Sequence, residues 1–296
     1  MLKIVSFHFG VGSGHFFGGV ALWQQLKMIY GSDFHFMLFH DLPIEIPFED
    51  DTLESVLVPL EPELLFSKPE ATVLYQYLNH LAPDLIIVDT IWVPAAPLLH
   101  FFKAKKVFYS FFMPEFWFGV HPWDKEGFYP FNPEDYDLCL ARDPVFGFPG
   151  SINIPPVINV HETLNKPPEI IRKVLQVSDD KKLALIAHNG EEGEIEKIME
   201  QADIDPAEYC QRSLSSFQDV SNQLFPLSHY MSGIDLAIGG AGYHFFWETK
   251  YYNIPSIYIP QPRIGNEQHW RLENCSDYDG PYDGAEKMVN MILELL

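Results

Sequence analysis

Residues 2–9 alternate and then run apolar. The same kind of short apolar run, bounded by glycine, proline or polar residues, returns at 34–40, 55–60, 84–90, 105–112 and 136–142. Runs of this length predict strands buried on both faces of a parallel sheet. Between them, helical stretches are expected over 16–29, 69–81 and 92–104, and alternation of strand with helix predicts an α/β fold. A segment rich in proline and glycine, 143–156, interrupts the pattern, which then restarts. A strand is expected over 181–188, a helix over 193–202, a strand from Asp235, a helix over 243–252, a strand within 253–260 and a last helix over 284–296. The interruption predicts two domains, 1–150 and 151–296, and 296 residues suffice for two of ordinary size.

The stretch from Asp235 to Glu248 reads Asp-Leu-Ala-Ile-Gly-Gly-Ala-Gly-Tyr-His-Phe-Phe-Trp-Glu. Its glycines permit a turn that a side chain would block, and they leave backbone N–H groups to meet an anion at the start of the next helix. Asn253 suits the left-handed cap of that helix and Pro255 cannot continue it. His244 and Glu248 are four residues apart and share a face, with Glu248 about 6 Å further along the axis. A carboxylate accepts two hydrogen bonds at once, which suits the paired hydroxyls of a ribose. Gln268, expected on a polar loop over 266–271, would complete the clamp. Arg263 and Arg271 flank that loop, and either neutralises a phosphate or pairs with Glu267 or Glu273. A tight structural turn fits the same strand, turn and helix.

A second glycine loop, Gly10-Val-Gly-Ser-Gly-His15, follows the first strand and places His15 at the carboxyl end of the sheet, where open α/β proteins hold ligands. It lacks the Lys-Ser/Thr ending of a nucleotide-hydrolase phosphate loop, and the second strand, which ends in His40-Asp41, has no acidic residue at the dinucleotide-binding offset. An imidazole takes a proton from a hydroxyl at neutral pH, and a buried carboxylate fixes its tautomer. Asp89, at the end of the fourth strand, is placed either to do this for His15 or to cap the helix that follows. His15 itself reads as a base or as a helix-start residue without chemistry.

Charge narrows the partners. Lys and Arg number 19 against 41 Asp and Glu, a formal charge of −22, which disfavours nucleic acid and anionic lipid and opposes an anionic ligand except where local groups outweigh it. No apolar run reaches the length of a membrane span and no signal-peptide pattern opens the chain, so the expectation is a cytoplasmic protein without a transmembrane segment. Cys139, Cys210 and Cys275 suggest neither a disulfide framework nor a zinc site, and no carboxylate pair has metal-ligand spacing. Neither metal nor cofactor is expected. The aromatic, proline-rich stretch 108–131 either packs into the protein, in an inter-domain cleft, or forms a platform for an acceptor.

The Asp235–Glu248 stretch resembles the C-terminal domain of GT-B nucleotide-sugar glycosyltransferases, in particular family 28 and the predicted transferases related to it. The resemblance rests on Gly239-Gly240-Ala241-Gly242-Tyr243-His244, Glu248, Asn253-Ile254-Pro255 and Glu267-Gln268, some 40 residues. It extends loosely to the N-terminal half through Gly12-Ser13-Gly14-His15 and Asp89. It implies two Rossmann-like domains facing across a cleft and a metal-independent, inverting transfer from a nucleotide sugar, with UDP as the expected nucleotide and a glycan, lipid or small molecule as acceptor. His15 and Asp89 would be catalytic. Donor binding would fall to Gly12, Gly14, Asn189, Gly190, Gly240, Ala241, Gly242, Tyr243, His244, Glu248, Arg263 and Gln268. Glu191 and Glu192 depart from the small polar residues the family offers to the diphosphate. Two alternatives remain. The Gly-Ser-Gly-His loop and Trp247-Glu248 also resemble the UDP-sugar hydrolase of the pseudaminic acid pathway, and a non-catalytic relative that binds a glycan or protein would account for the acidity.

Overall fold

The computed structural model describes residues 1–10, 13–43, 46–58, 62–124, 126–191, 193–215 and 223–296. Gly12, Glu192 and the expected strand end at Leu60 lie outside the described residues. The chain forms two compact units. The first comprises Met1–Gly10, Gly18–Val157 and Asp283–Leu296, and the second comprises Val11–Phe17 and Ile158–Tyr282.

In the first unit, seven described strands form one parallel sheet: β1 (Leu2–His8), β2 (Phe34–His40), β3 (Leu53–Leu57), β4 (Leu85–Asp89), β5 (Lys105–Ser110), β6 (Leu138–Ala141) and β7 (Ile152–Asn153). Their order is β3-β2-β1-β4-β5-β6-β7. Ile4 pairs with Leu85 and Phe7 with Val88, so the strand order reverses between β1 and β4, a topological switch point. The central strands are apolar because helices cover both faces; Ile4, Val5, Leu85, Ile86, Ile87 and Val88 are fully buried. Helix α1 (Gly14–Tyr30) follows β1, and α2 (Pro62–Ser67), α3 (Val73–Leu81) and α4 (Ala96–Leu99) follow in the chain. Thr72 caps α3 by accepting from the Tyr75 N–H. Gly19 lets α1 lie close to the sheet, since a Cβ there would stand 2.2 Å from Leu38 Cδ1.

The aromatic stretch packs within this unit. Trp92 stacks on Phe118 at 5.9 Å and meets Phe131 at 5.3 Å, Phe108 meets Phe131 at 4.6 Å, and the Trp92 indole donates to the Tyr129 carbonyl. The proline- and glycine-rich segment contributes β7 to the sheet edge.

In the second unit, β8 (Lys182–Ala187), β9 (Tyr209–Leu214), β10 (Leu236–Gly239) and β11 (Ser256–Tyr258) form a parallel sheet in the order β11-β10-β8-β9. The order reverses between β8 and β10, so the turns leaving these two strands share one edge of the sheet. Helix α5 (Pro168–Val174) contributes Ile171 to the core around Leu183, Leu185 and Ala237. Helix α6 (Glu194–Gln201) puts Ile198 against Ala184, Ile186 and Ile238 on the opposite face. Helices α7 (Tyr243–Tyr251) and α8 (Glu267–Cys275) complete this unit. Asn253 takes the left-handed conformation expected of it, at φ 52°.

Two expectations change. The segment expected as a polar loop at 266–271 is the start of α8, entered through Asn266 at φ 52°; Gln268, Arg271 and Cys275 fall on one buried face at helical spacing. The last helix, α9 (Gly284–Leu295), belongs with the first unit. A Cβ at Gly284 would stand 2.0 Å from the Pro155 carbonyl oxygen, and Met288, Val289 and Ile292 are fully buried. Among the described residues no helix is long and apolar enough to cross a membrane.

Candidate functional site

The turn from β10 into α7 is built by close approach on one side and open space on the other. A Cβ at Gly239 would stand 2.6 Å from the Ala187 carbonyl oxygen, and one at Gly240 would stand 2.8 Å from Gln268 Oε1. Gly242 caps α7 at φ −59° and ψ 152°, a conformation open to any residue, and a Cβ there would meet nothing within 4 Å. Neither backbone nor packing demands glycine at 242. Gly14, at the start of α1, is likewise open, with nothing within 4 Å.

The turn is fixed from its carbonyl side. Arg271, fully buried, donates from Nη1 to the Ala241 carbonyl at 2.7 Å and lies 5.3 Å over the Tyr243 ring. This puts a permanent cation behind the start of α7, whose first N–H groups have no partner within the helix. Gln268 is buried on α8, and its Oε1 accepts from the Gln261 N–H at 2.9 Å. One turn into α7, Glu248 Oε1 stands 3.3 Å from His244 Nδ1, and both residues are 8% exposed. The His244 ring meets Phe17 edge-on at 6.5 Å, and Phe17 packs on Phe225 at 5.5 Å. The first turn of α1 therefore groups with the second unit through aromatic contact with α7.

The turn from β8 into α6 is filled by the chain itself. Glu194 receives Arg263 Nη1 on Oε1 at 2.6 Å and Arg263 Nη2 on Oε2 at 2.7 Å; the same Oε2 lies 2.7 Å from His188 Nε2 and accepts from the Glu191 N–H at 2.9 Å. The Arg263 bonds, helped by His188 and the Glu191 N–H and outweighing burial, lower the carboxyl to about 2. A Cβ at Gly190 would stand 1.9 Å from Glu194 Oε2 and 2.3 Å from His188 Nε2, so glycine makes room for this cluster. Arg263, expected to meet a phosphate or one of Glu267 and Glu273, is held by Glu194. Asn189 is half-buried in the same turn. The Glu194 contacts escaped the sequence reading, although Glu194 stands three residues after Glu191, the spacing at which a carboxylate reaches back to a helix-start N–H.

In the first unit, Asp89 is fully buried at the end of β4. Its Oδ1 accepts from Arg142 Nη2 at 2.8 Å and from Thr90 Oγ1 at 2.7 Å, and its Oδ2 stands 3.3 Å from His8 Nδ1. Ser6 Oγ lies 2.6 Å from His8 Nε2, and the Arg142 guanidinium lies 4.7 Å over the Tyr109 ring. Gly18 opens α1 to this cluster, since its Cβ would stand 3.0 Å from Arg142 Nη1 and 3.4 Å from Asp89 Oδ2. His15, 8% exposed, precedes Gly18 by three residues and shares its face of α1. His8 and Arg142 were not foreseen as partners of Asp89. The sign of a buried polar cluster was a histidine on an otherwise apolar strand and an arginine closing another. Among the described residues, no group of three or more His, Cys, Asp and Glu side chains is placed to hold a metal ion.

The chain superposes on solved structures over nearly its whole length. The spinosyn rhamnosyltransferase SpnG superposes with a TM-score of 0.57 at 10% identity, over 99% of this chain and 92% of that one. UGT2 of Phytolacca americana, complexed with UDP-2fluoro-glucose and pterostilbene, gives 0.55 at 12% identity over 100% and 90%. MurG of Acinetobacter baumannii gives 0.51 at 11% identity over 99% and 91%. The fold is that of the GT-B glycosyltransferases. No protein-family model matches the chain, and no curated protein matches its sequence. Within this GT-B fold, Gly240, Ala241, Gly242, Tyr243, His244, Glu248 and Gln268 come together around the start of α7. Asn189, Gly190 and Arg263 belong to the self-filled turn before α6.

Proposed function

We propose that the second unit binds the nucleotide part of a nucleotide sugar at the start of α7, and that the protein transfers the sugar to an acceptor hydroxyl. The observation that carries this reading is Gly242, open on its side-chain side at the uncapped start of a helix, with a buried arginine behind the turn and a carboxylate one turn along. The α7 N–H groups take the phosphates, and Glu248 takes the ribose hydroxyls on the carboxylate oxygen that His244 does not face, aided by Gln268. Similarity of fold to proteins whose names specify sugar transfer, one of them with a UDP-sugar bound, supports the same donor class and UDP as nucleotide.

His15 is the base in this account. It takes the proton of an acceptor hydroxyl as the oxygen attacks the anomeric carbon; the bond to the diphosphate breaks on the opposite face, and the diphosphate leaves with the electron pair, inverting the centre. Asp89, itself held by Arg142, has in this account the role of stabilising the imidazolium. The charge that develops on the diphosphate is met by α7 and Arg271, without a metal.

Calorimetric titration with UDP tests the donor site, and absence of binding at millimolar concentration ends the reading. Incubation with UDP-sugars and no acceptor tests the reaction class. Rapid, complete release of UDP would make the protein a hydrolase, which the same base acting on water would explain.

A further inference from the structure

His244 and Glu248 form a pair in which the second imidazole nitrogen has no hydrogen-bond partner among the described residues. Nδ1 stands 3.3 Å from Glu248 Oε1, while Nε2 is buried without a hydrogen bond among the described residues. An imidazole nitrogen shielded from water and left unbonded is costly unless something absent from the chain completes it. The residue lies in the first turn of α7, beside the open Gly242, where an anion is already favoured.

Other titratable groups lie around the pair and its turn; His188, whose Cε1 would stand 3.4 Å from a Cβ at Gly240, is held at Nε2 by Glu194. On the turn at Leu227–Gly233, which packs against α7, burial lowers His229 to about 4, so it stays neutral above pH 6. On α8, Arg271 is a permanent cation bonded to the Ala241 carbonyl. Tyr258 on β11, and Tyr278 and Tyr282 beyond α8, reach α7 through the Phe246 and Trp247 rings. Tyr243 and Lys250 lie on α7 itself, with Lys250 over Phe246, and α1 brings Phe17 and, two residues before it, His15.

Resting on the donor site proposed above, we infer that ligand binding there is proton-linked: the phosphate accepts from Nε2 of an imidazolium whose Nδ1–H donates to Glu248. One carboxylate would then serve two tasks, holding the charged imidazole with one oxygen and the ribose with the other. The site would select ligands with a phosphate next to a ribose, and would bind them more tightly at lower pH.

UDP-glucose is the probe, because its two phosphates are both esterified and do not titrate between pH 6 and 8. Calorimetry in buffers of different ionisation enthalpy should show net proton uptake on binding near pH 7, and the Kd should rise about fivefold or more from pH 6 to pH 8. His244→Asn, which keeps a side-chain donor but cannot titrate, should abolish the uptake and flatten the pH profile, whereas His15→Asn should leave both in place. Uptake that persists in His244→Asn or disappears in His15→Asn would overturn the inference, as would tight binding with no uptake. Glu248→Gln serves as a second variant if His244→Asn misfolds; it should reduce the uptake, and full uptake there would also overturn the inference. If neither UDP-glucose nor UDP binds at millimolar concentration, the donor site itself fails and this inference falls with it.

Discussion

The turn after β8 and the turn after β10 both lead from a buried strand through glycine into a helix, and both open on the switch point of the second sheet. They differ in what meets the helix start. At α6 the chain supplies its own anion, Glu194, and neutralises it with Arg263 and His188. At α7 there is no such carboxylate among the described contacts; an arginine sits behind the turn and the cap residue faces open space. The lesson concerns glycine. Gly190 is required by neighbours within the protein, and Gly242 by none among the described residues, so only the second carries the proposal of a ligand.

Four substitutions or titrations break or sharpen this contrast. The largest effect is expected from Gly190→Ala, because the added carbon would lie 1.9 Å from a carboxylate oxygen held by three partners. Loss of about 3 kcal/mol or more is expected in denaturant unfolding. If stability is retained, the cluster is loose and the contrast is weaker than described.

Glu194 should govern the acid limb of stability to a similar degree. Its carboxyl is depressed to about 2 in the folded protein, so its contribution is present in full above the unfolded value and is lost as pH falls towards 2. The linked contribution is about 3 kcal/mol. Thermal unfolding between pH 6 and pH 3 should show a loss in the wild type that is smaller in Glu194→Gln, and parallel curves would show that Glu194 is not the group responsible. Glu248→Ala should leave unfolding little changed and weaken UDP by about tenfold to a hundredfold, the range for lost hydrogen bonds to a charged group. Unchanged affinity would remove Glu248 from the clamp.

The sheets were legible because their central strands are buried on both faces and therefore apolar without interruption, as in 84–90 and 181–188. What escaped notice had weaker patterns. β9, Tyr-Cys-Gln-Arg-Ser-Leu, is an edge strand that is mostly half-buried, and β7 is two residues inside a proline-rich segment. Gln268 was assigned to a loop because its neighbours are polar, but α8 is held by the burial of Gln268, Arg271 and Cys275, two of them polar residues satisfied by backbone partners. At the α7 turn, glycine, histidine and glutamate come together as their spacing predicts, because their contacts are local. Residue types and spacing did not reveal Arg263 with Glu194, 69 positions apart, or Arg142 with Asp89, 53 positions apart. Such pairings depend on which strand ends the fold brings together.

The most direct test is Gly242→Ala, followed by both thermal unfolding and UDP titration. The backbone conformation at 242 accepts alanine, and beyond its own chain neighbours no atom of the described residues lies within 4 Å of the added carbon. The melting temperature should hold or rise slightly, since alanine restricts the unfolded chain, while the UDP Kd rises about tenfold, roughly 1.4 kcal/mol. A variant that melts like the wild type and binds UDP equally well would mean that no phosphate approaches this turn, and the account of the site would be wrong.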